Sequence, residues 1–327
     1  MSETAIPTLP PRRLSWPAFL RRKARPESLH GIKSSGFAGQ VLPLVLLAPQ
    51  LVILLMFFFI PAIRGLAQAF LLQDPFGQEV HFVGLENITA LLRSAEYWES
   101  LRLSVTFTLA TTALTFGVGL LLAFATDRVA RGRTAYRAVL LLPYAIAPAI
   151  AGFVWAFLFN PIVGPAAALL HALGIAWDPN RSGDDALLLV ILTASWKHLC
   201  YDYIFLVAAL GSVPRSVIEA AAVDGARPLR RFFWIVLPMI APTVFFLLVM
   251  NTVYGLFETF AIIDATTRGG PAAATNILVY KVYVDGFVNL DLGSSAAQSV
   301  LLMIFAISLT IIQFRLIERR ISYDVSQ

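Results

Sequence analysis

Six runs of about 20 largely apolar residues limit what this chain can fold into more than any other feature. They cover approximately residues 41–63, 103–126, 138–159, 186–210, 240–263 and 296–316. Hydrocarbon offers no partner for a backbone N–H or C=O, so a segment at that depth must satisfy its own, and a helix needs about 20 residues to cross. None of the runs is short or alternating enough for a barrel strand. The fold class that follows is an all-α integral membrane protein with six transmembrane helices. Composition agrees: 58% of residues are apolar and 14% charged, where soluble chains carry about 25% charge. A mean hydropathy of +0.74 excludes a disordered or collagen-like chain, and also a nucleic-acid binder despite a net charge of +5. Pro143 and Pro148 in the third run, and Pro242 at the start of the fifth, are expected to kink helices without interrupting them, because neighbouring helices can re-satisfy freed carbonyls.

The basic residues fall on alternate sides of these runs. Of 25 Lys and Arg, 18 lie in the N-terminal segment, the second and fourth loops and the C-terminus, six lie in the other loops, and Lys197 lies within a run. Basic loops resist translocation, so both termini are expected in the cytoplasm. With acids counted, the net +5 resolves into +11 inside, −5 outside and −1 within the runs. Residues 1–40 read as a basic, disordered cytoplasmic segment that sets topology. The first apolar run starts too late and lasts too long for a cleaved signal peptide. Residues 41–323 form the membrane domain and 324–327 a tail.

No catalytic constellation is present. There is no G-x-x-x-x-G-K-[ST] to cradle a nucleotide phosphate and no H-E-x-x-H or cysteine cluster to hold a metal. The single Cys200 can make neither an intrachain disulfide nor a metal site. The chain is therefore expected to be no enzyme and to bind no metal or cofactor itself, and transport, sensing or scaffolding remain.

The most informative polar stretch on the cytoplasmic side is 213–238. Pro214 suits a first turn, Glu219 and three alanines favour helix, and Gly225 after Asp224 can take the left-handed conformation that stops one. These signals predict a short helix over about 214–226. Its face of Val217, Ile218, Ala221 and Ala222 fits either a groove on another protein or lipid headgroups.

Glu219, Ala220 and Ala221, then Gly225, then Ile235, Leu237 and Pro238 resemble, in residue type and spacing, the EAA loop of the membrane subunits of type I ABC importers. The resemblance extends from about residue 41 to 323 and takes in Gly269, Gly270 and Pro271. More narrowly, 280–298 and 314–323 are similar to the permeases of sn-glycerol-3-phosphate importers, while other relatives carry sugars and oligosaccharides. The resemblance implies that the short helix, with Glu219, Ala220, Ala221, Asp224 and Gly225, couples to an ATPase subunit. It also implies a bacterial inner-membrane location, a second homologous permease, an ATPase dimer that holds ATP and Mg, and a periplasmic solute-binding protein. An ion-coupled secondary transporter would show similar halves and broken midplane helices, and the sequence shows neither.

Ionisable groups at membrane depth are costly and tend to face a cavity or bundle interior. Lys197, Tyr201 and Asp202 in the fourth run are candidates for a substrate pathway, with a lysine suited to a phosphate monoester. The alternative for Lys197 is internal pairing or snorkelling that fixes helix packing. Asn251, Tyr254 and Glu258 recur at helical steps in the fifth run as a polar stripe, open to pathway lining or to interhelical hydrogen bonding. Outside, 65–99 reads as an acidic loop with one short amphipathic helix near 85–92.

Overall fold

A computed structural model of the protein describes residues 41–73, 80–128 and 133–318. The basic arm 1–40, and residues 319–327 with the tail, lie outside the described residues. The chain divides into two compact units, 1–58 and 59–327. Within the first runs α1 (Val41–Leu54), continued by a π-helical turn that starts at Leu55. The second holds α2 (Ile60–Gln68), strands β1 (Leu71–Gln73) and β2 (Val80–Phe82), α3 (Glu86–Arg93), α4 (Ala95–Arg128), α5 (Arg133–Ala145), α6 (Pro148–Leu158), α7 (Pro165–Ala172) and α8 (Gly183–Ser212). These are followed by α9 (Arg215–Val223), α10 (Pro228–Arg231), α11 (Leu237–Met239), α12 (Ala241–Val253), α13 (Phe260–Thr266), α14 (Leu278–Tyr283) and α15 (Leu292–Glu318). Further π-helical turns occupy Phe232–Val236, Tyr254–Glu258 and Val284–Val288.

Four described helices are long and apolar enough to cross a membrane: Leu42–Gln68, Ala95–Thr126, Ala241–Glu258 and Leu292–Arg315. The number rises to six if two bent pairs each count as one span. The first pair is Ala138–Ala145 with Pro148–Leu158, bent by 105°. Here the expected kink is a full break. Ala147 is extended (φ −61, ψ 142) because the residue before a proline is pushed out of the helical region, and Pro148 has no N–H to continue the ladder. Pro143 stays inside α5. Pro242 marks a start, not a kink: Ile240 leaves helical geometry (φ −92, ψ 6) and Pro242 falls in the first turn of α12, where its missing N–H costs nothing.

The expectation of an all-helical chain needs a second correction. Between α2 and α3 two short strands pair antiparallel, Leu71 with Phe82 and Gln73 with Val80. Asn87, at the start of α3, donates from Nδ2 to the carbonyls of Ala69 and Leu71 at 3.0 Å each. Three-residue strands carry too short an alternation to read from sequence.

Helix α8 is the central element. Ser182 caps it by accepting from the Asp185 N–H at 3.2 Å, and Asp184 and Asp185 complement the dipole in its first turn. At 30 residues it spans about 45 Å. Its end is set by Val213, extended before Pro214, where the chain turns 67° into α9. Tyr203, Leu206 and Ala209 of α8, Ala123 of α4, Leu247 of α12 and Phe232 form one continuous core. Close approach between helices rests on small residues: a Cβ on Gly119 would stand 3.2 Å from Asp202, and one on Gly152 would stand 2.8 Å from the Ala265 Cβ.

Candidate functional site

Helix α9 stands on the end of α8 and is closed by a double cap. The Ala226 N–H donates to Ala221 O at 3.0 Å and the Gly225 N–H to Ala222 O at 3.1 Å, with Gly225 at φ +77. This is the Schellman arrangement, in which a left-handed residue after the last turn satisfies the orphan carbonyls. Glu219, Ala220 and Asp224 are exposed, Ala221 is buried, Ile235 and Leu237 are half-buried and Pro238 is exposed. The apolar face read from sequence is thereby divided. Ile218 and Ala221 turn onto the chain's own core, and the Arg231 guanidinium donates to Ile218 O at 3.3 Å, while Val217, Ala220, Ala222 and Val223 face outward.

The polar residues of the fourth and fifth apolar runs also divide. Asp202 is 0% exposed, and both its oxygens accept from Asn251 Nδ2, at 3.0 and 2.8 Å. Tyr254 is buried and donates to Ala194 O at 3.2 Å. These two contacts tie α12 and the π turn after it to α8, so Asp202, Asn251 and Tyr254 make interhelical bonds. The His198 ring stacks between Tyr254 and Tyr201, with centroids 3.9 and 5.1 Å away. Glu258 closes the π turn and is exposed, off the line of Asn251 and Tyr254. A π turn advances the chain by i→i+5 bonding, so a stripe drawn at 3.6-residue steps slips there.

Lys197 has a specific local partner. Its ammonium donates to Tyr144 O at 3.2 Å and lies 5.4 Å from the Tyr144 ring centroid. In a continuous helix Tyr144 O would accept from residue 148, but residue 148 is proline. Lys197 therefore supplies the donor that the break between α5 and α6 removes. Tyr144, Lys197, Tyr201 and Glu258 are exposed or half-buried, whereas Asp202, Asn251 and Tyr254 are buried.

Two polar groupings escaped the sequence reading. Ser100, Ser104, Thr108, Thr111 and Thr115 form a buried stripe on α4, and Ser104 Oγ accepts from the Leu278 N–H at 2.8 Å. Their spacing of four, four, three and four was the available signal, but hydroxyls do not interrupt hydropathy. The other grouping is an ion pair within α14 and the π turn after it, largely buried, with an exposed α4 carboxylate at its rim. Lys281, 8% exposed, contacts Asp285 at 3.0 Å and Glu96 at 3.8 Å, and Gln298 donates to the same Asp285 oxygen. The i,i+4 pair was legible, its burial was not. Among the described residues no group of three or more His, Cys, Asp or Glu is placed to hold a metal.

Long apolar helices, interhelical polar bonds and one exposed, capped helix mark this as a multi-span membrane subunit. The fold matches a crystal structure of a bacterial ABC transporter involved in the import of the acidic polysaccharide alginate (TM-score 0.74, 22% identity, 88% of this chain and 96% of that one). Residues 115–323 match the family model described as binding-protein-dependent transport system inner membrane component. The chain belongs to that family. It is similar to proteins named sn-glycerol-3-phosphate transport system permease protein UgpA from Rhizobium meliloti (53% identity, 88% of this chain, 98% of the relative), Brucella abortus (54%, 88% and 98%) and Agrobacterium fabrum (51%, 89% and 100%).

Proposed function

We propose that this chain is a permease subunit of an ATP-driven importer of sn-glycerol-3-phosphate in the bacterial inner membrane. The observation that carries this is the 51–54% identity, over nearly their whole length, to relatives bearing that name. In this reading the chain crosses the membrane six times, each bent pair counting as one span, with both termini in the cytoplasm, as the distribution of Lys and Arg supports. A second homologous permease completes the pathway, a periplasmic binding protein delivers solute, and ATP and Mg are held by a separate ATPase pair.

Helix α9 is the coupling helix. It presents Val217, Glu219, Ala220 and Val223 to the ATPase, and its cap at Asp224 and Gly225 keeps it a rigid lever at the end of α8. The Asp202–Asn251 and Tyr254–Ala194 bonds make α8 and α12 move together, so a push on α9 biases the pair between two states. The pathway face is Lys197, Tyr201 and Glu258, joined by Tyr144. Lys197 spends one N–H on Tyr144 and retains donors for a phosphate ester. Asp202, Asn251 and Tyr254 act from behind that face.

The test is uptake by the complete complex in vesicles. Glycerol-3-phosphate should accumulate in the vesicles only when ATP is enclosed with the ATPase subunits in the lumen, and maltose should not. Accumulation of maltose with no uptake of glycerol-3-phosphate would move the chain to the sugar branch, and uptake driven by an ion gradient without ATP would overturn the mechanism.

A further inference from the structure

A cleft of about 460 Å³ runs along α4 beside the segment that follows the coupling helix. Its wall is entirely apolar, from Leu114, Gly117, Val118 and Leu121 on one side and Leu229 and Phe233 on the other. Gly117 forms an open floor, since a Cβ there would meet nothing within 4 Å. An adjoining cavity of about 190 Å³ shares Phe124 and Phe232 with the cleft and has Arg231 in its wall. Arg231 is bound through one end nitrogen to Ile218 O, while its buried Nε has no hydrogen-bond partner. Arg227 and Arg230 are exposed beside Leu229, and Trp234 is 78% exposed three residues past Arg231. Arginines next to an exposed tryptophan mark the headgroup level of a bilayer.

We infer that this cleft holds one acyl chain of an anionic phospholipid, with the lipid phosphate at Arg227 and Arg230. The size argues for a chain and against a helix: a single turn of helix, 10–12 Å across, already occupies about 400–600 Å³. The apolar wall gives an acyl chain a lining as good as bulk lipid, and the exposed arginines that flank the lining Leu229 in sequence add attraction that a neutral headgroup does not receive. The bound lipid would brace Leu229, Phe232 and Phe233. Through Arg231 and Ile218 it would also hold the coupling helix at its working angle. The inference rests on the membrane placement proposed above.

The test uses the assembled transporter, purified in mild detergent and examined by native mass spectrometry, then exchanged into nanodiscs of phosphatidylcholine with or without phosphatidylglycerol. The intact complex should retain phosphatidylglycerol in preference to phosphatidylcholine, and phosphatidylglycerol should raise solute-stimulated ATP hydrolysis. Arg230→Gln should cut the preference about fivefold while leaving total lipid unchanged. Gly117→Phe, which fills the cleft, should abolish retention; Leu121→Trp gives a second blocking variant if the first fails to assemble. Equal retention of both lipids, retention unchanged in the blocking variants, or disulfide capture of Val118→Cys by a helix of the second permease would each overturn the inference. ATP-driven uptake in phosphatidylcholine alone reports the transport reading separately.

Discussion

Gly225 offers the sharpest perturbation, because the structure separates its backbone role from packing. It sits at φ +77 as the left-handed residue of the cap on α9, and a Cβ at that position would meet no atom within 4 Å. Crowding within the chain therefore contributes nothing, and the intrachain effect of a substitution is conformational. Forcing an L-residue into the left-handed region costs about 1–2 kcal/mol, with β-branched valine at the upper end. At 1.4 kcal/mol per factor of ten, Gly225→Val should lower the population of the capped helix by about 5- to 30-fold. Both cap bonds, Ala226 to Ala221 and Gly225 to Ala222, depend on that geometry. The assay is ATP hydrolysed per solute imported by the complex in vesicles, with assembly checked by size-exclusion chromatography. The expected result is an intact complex whose ratio rises about fivefold or more, while Gly225→Asn, a residue that visits this conformation readily, stays close to wild type. Normal coupling in the valine variant would refute the lever reading, and equal damage from asparagine would refute its conformational basis.

Three further outcomes are expected. Lys197→Ala should raise the KM for glycerol-3-phosphate uptake by about tenfold or more, the loss of a charge-assisted hydrogen bond, with assembly retained; an unchanged KM would leave Lys197 only its bond to Tyr144. Asn251→Leu should destabilise the complex by about 1–3 kcal/mol in thermal unfolding, because it strips the buried Asp202 carboxyl of its donor, and adding Asp202→Leu should recover part of the loss. Lys281→Met should cost about 1–3 kcal/mol by the same measure, because the largely buried Asp285 loses its cation and keeps only the Gln298 donor; a loss below about 0.5 kcal/mol would show that the pair is solvated in the assembled transporter.

Much of this protein was legible in its sequence because hydropathy over 20 residues is a local property. The apolar runs, the short helix after Pro214 and the glycine that ends it follow from residue type and spacing alone, whatever they later touch. The EAA spacing placed the chain among importer subunits for the same reason, since the motif is contiguous. The break in the third run was also written locally, in the Ala147–Pro148 step, but neighbouring helices can repair such a step, and only the fold shows that Lys197 repairs it from another helix. The polar residues differ in kind. Asp202 and Glu258 are both carboxylates at membrane depth, yet one is closed inside a bond to Asn251 and the other exposed, because a π turn shifts the helix between Tyr254 and Glu258. Burial of Lys281 with Asp285, and the turning of Ile218 and Ala221 away from the outer face of α9, likewise depend on which helix stands beside which. Sequence determined which segments are apolar and where helices turn and stop; tertiary structure decided which side chains face one another, because facing is set by packing between segments far apart in the chain.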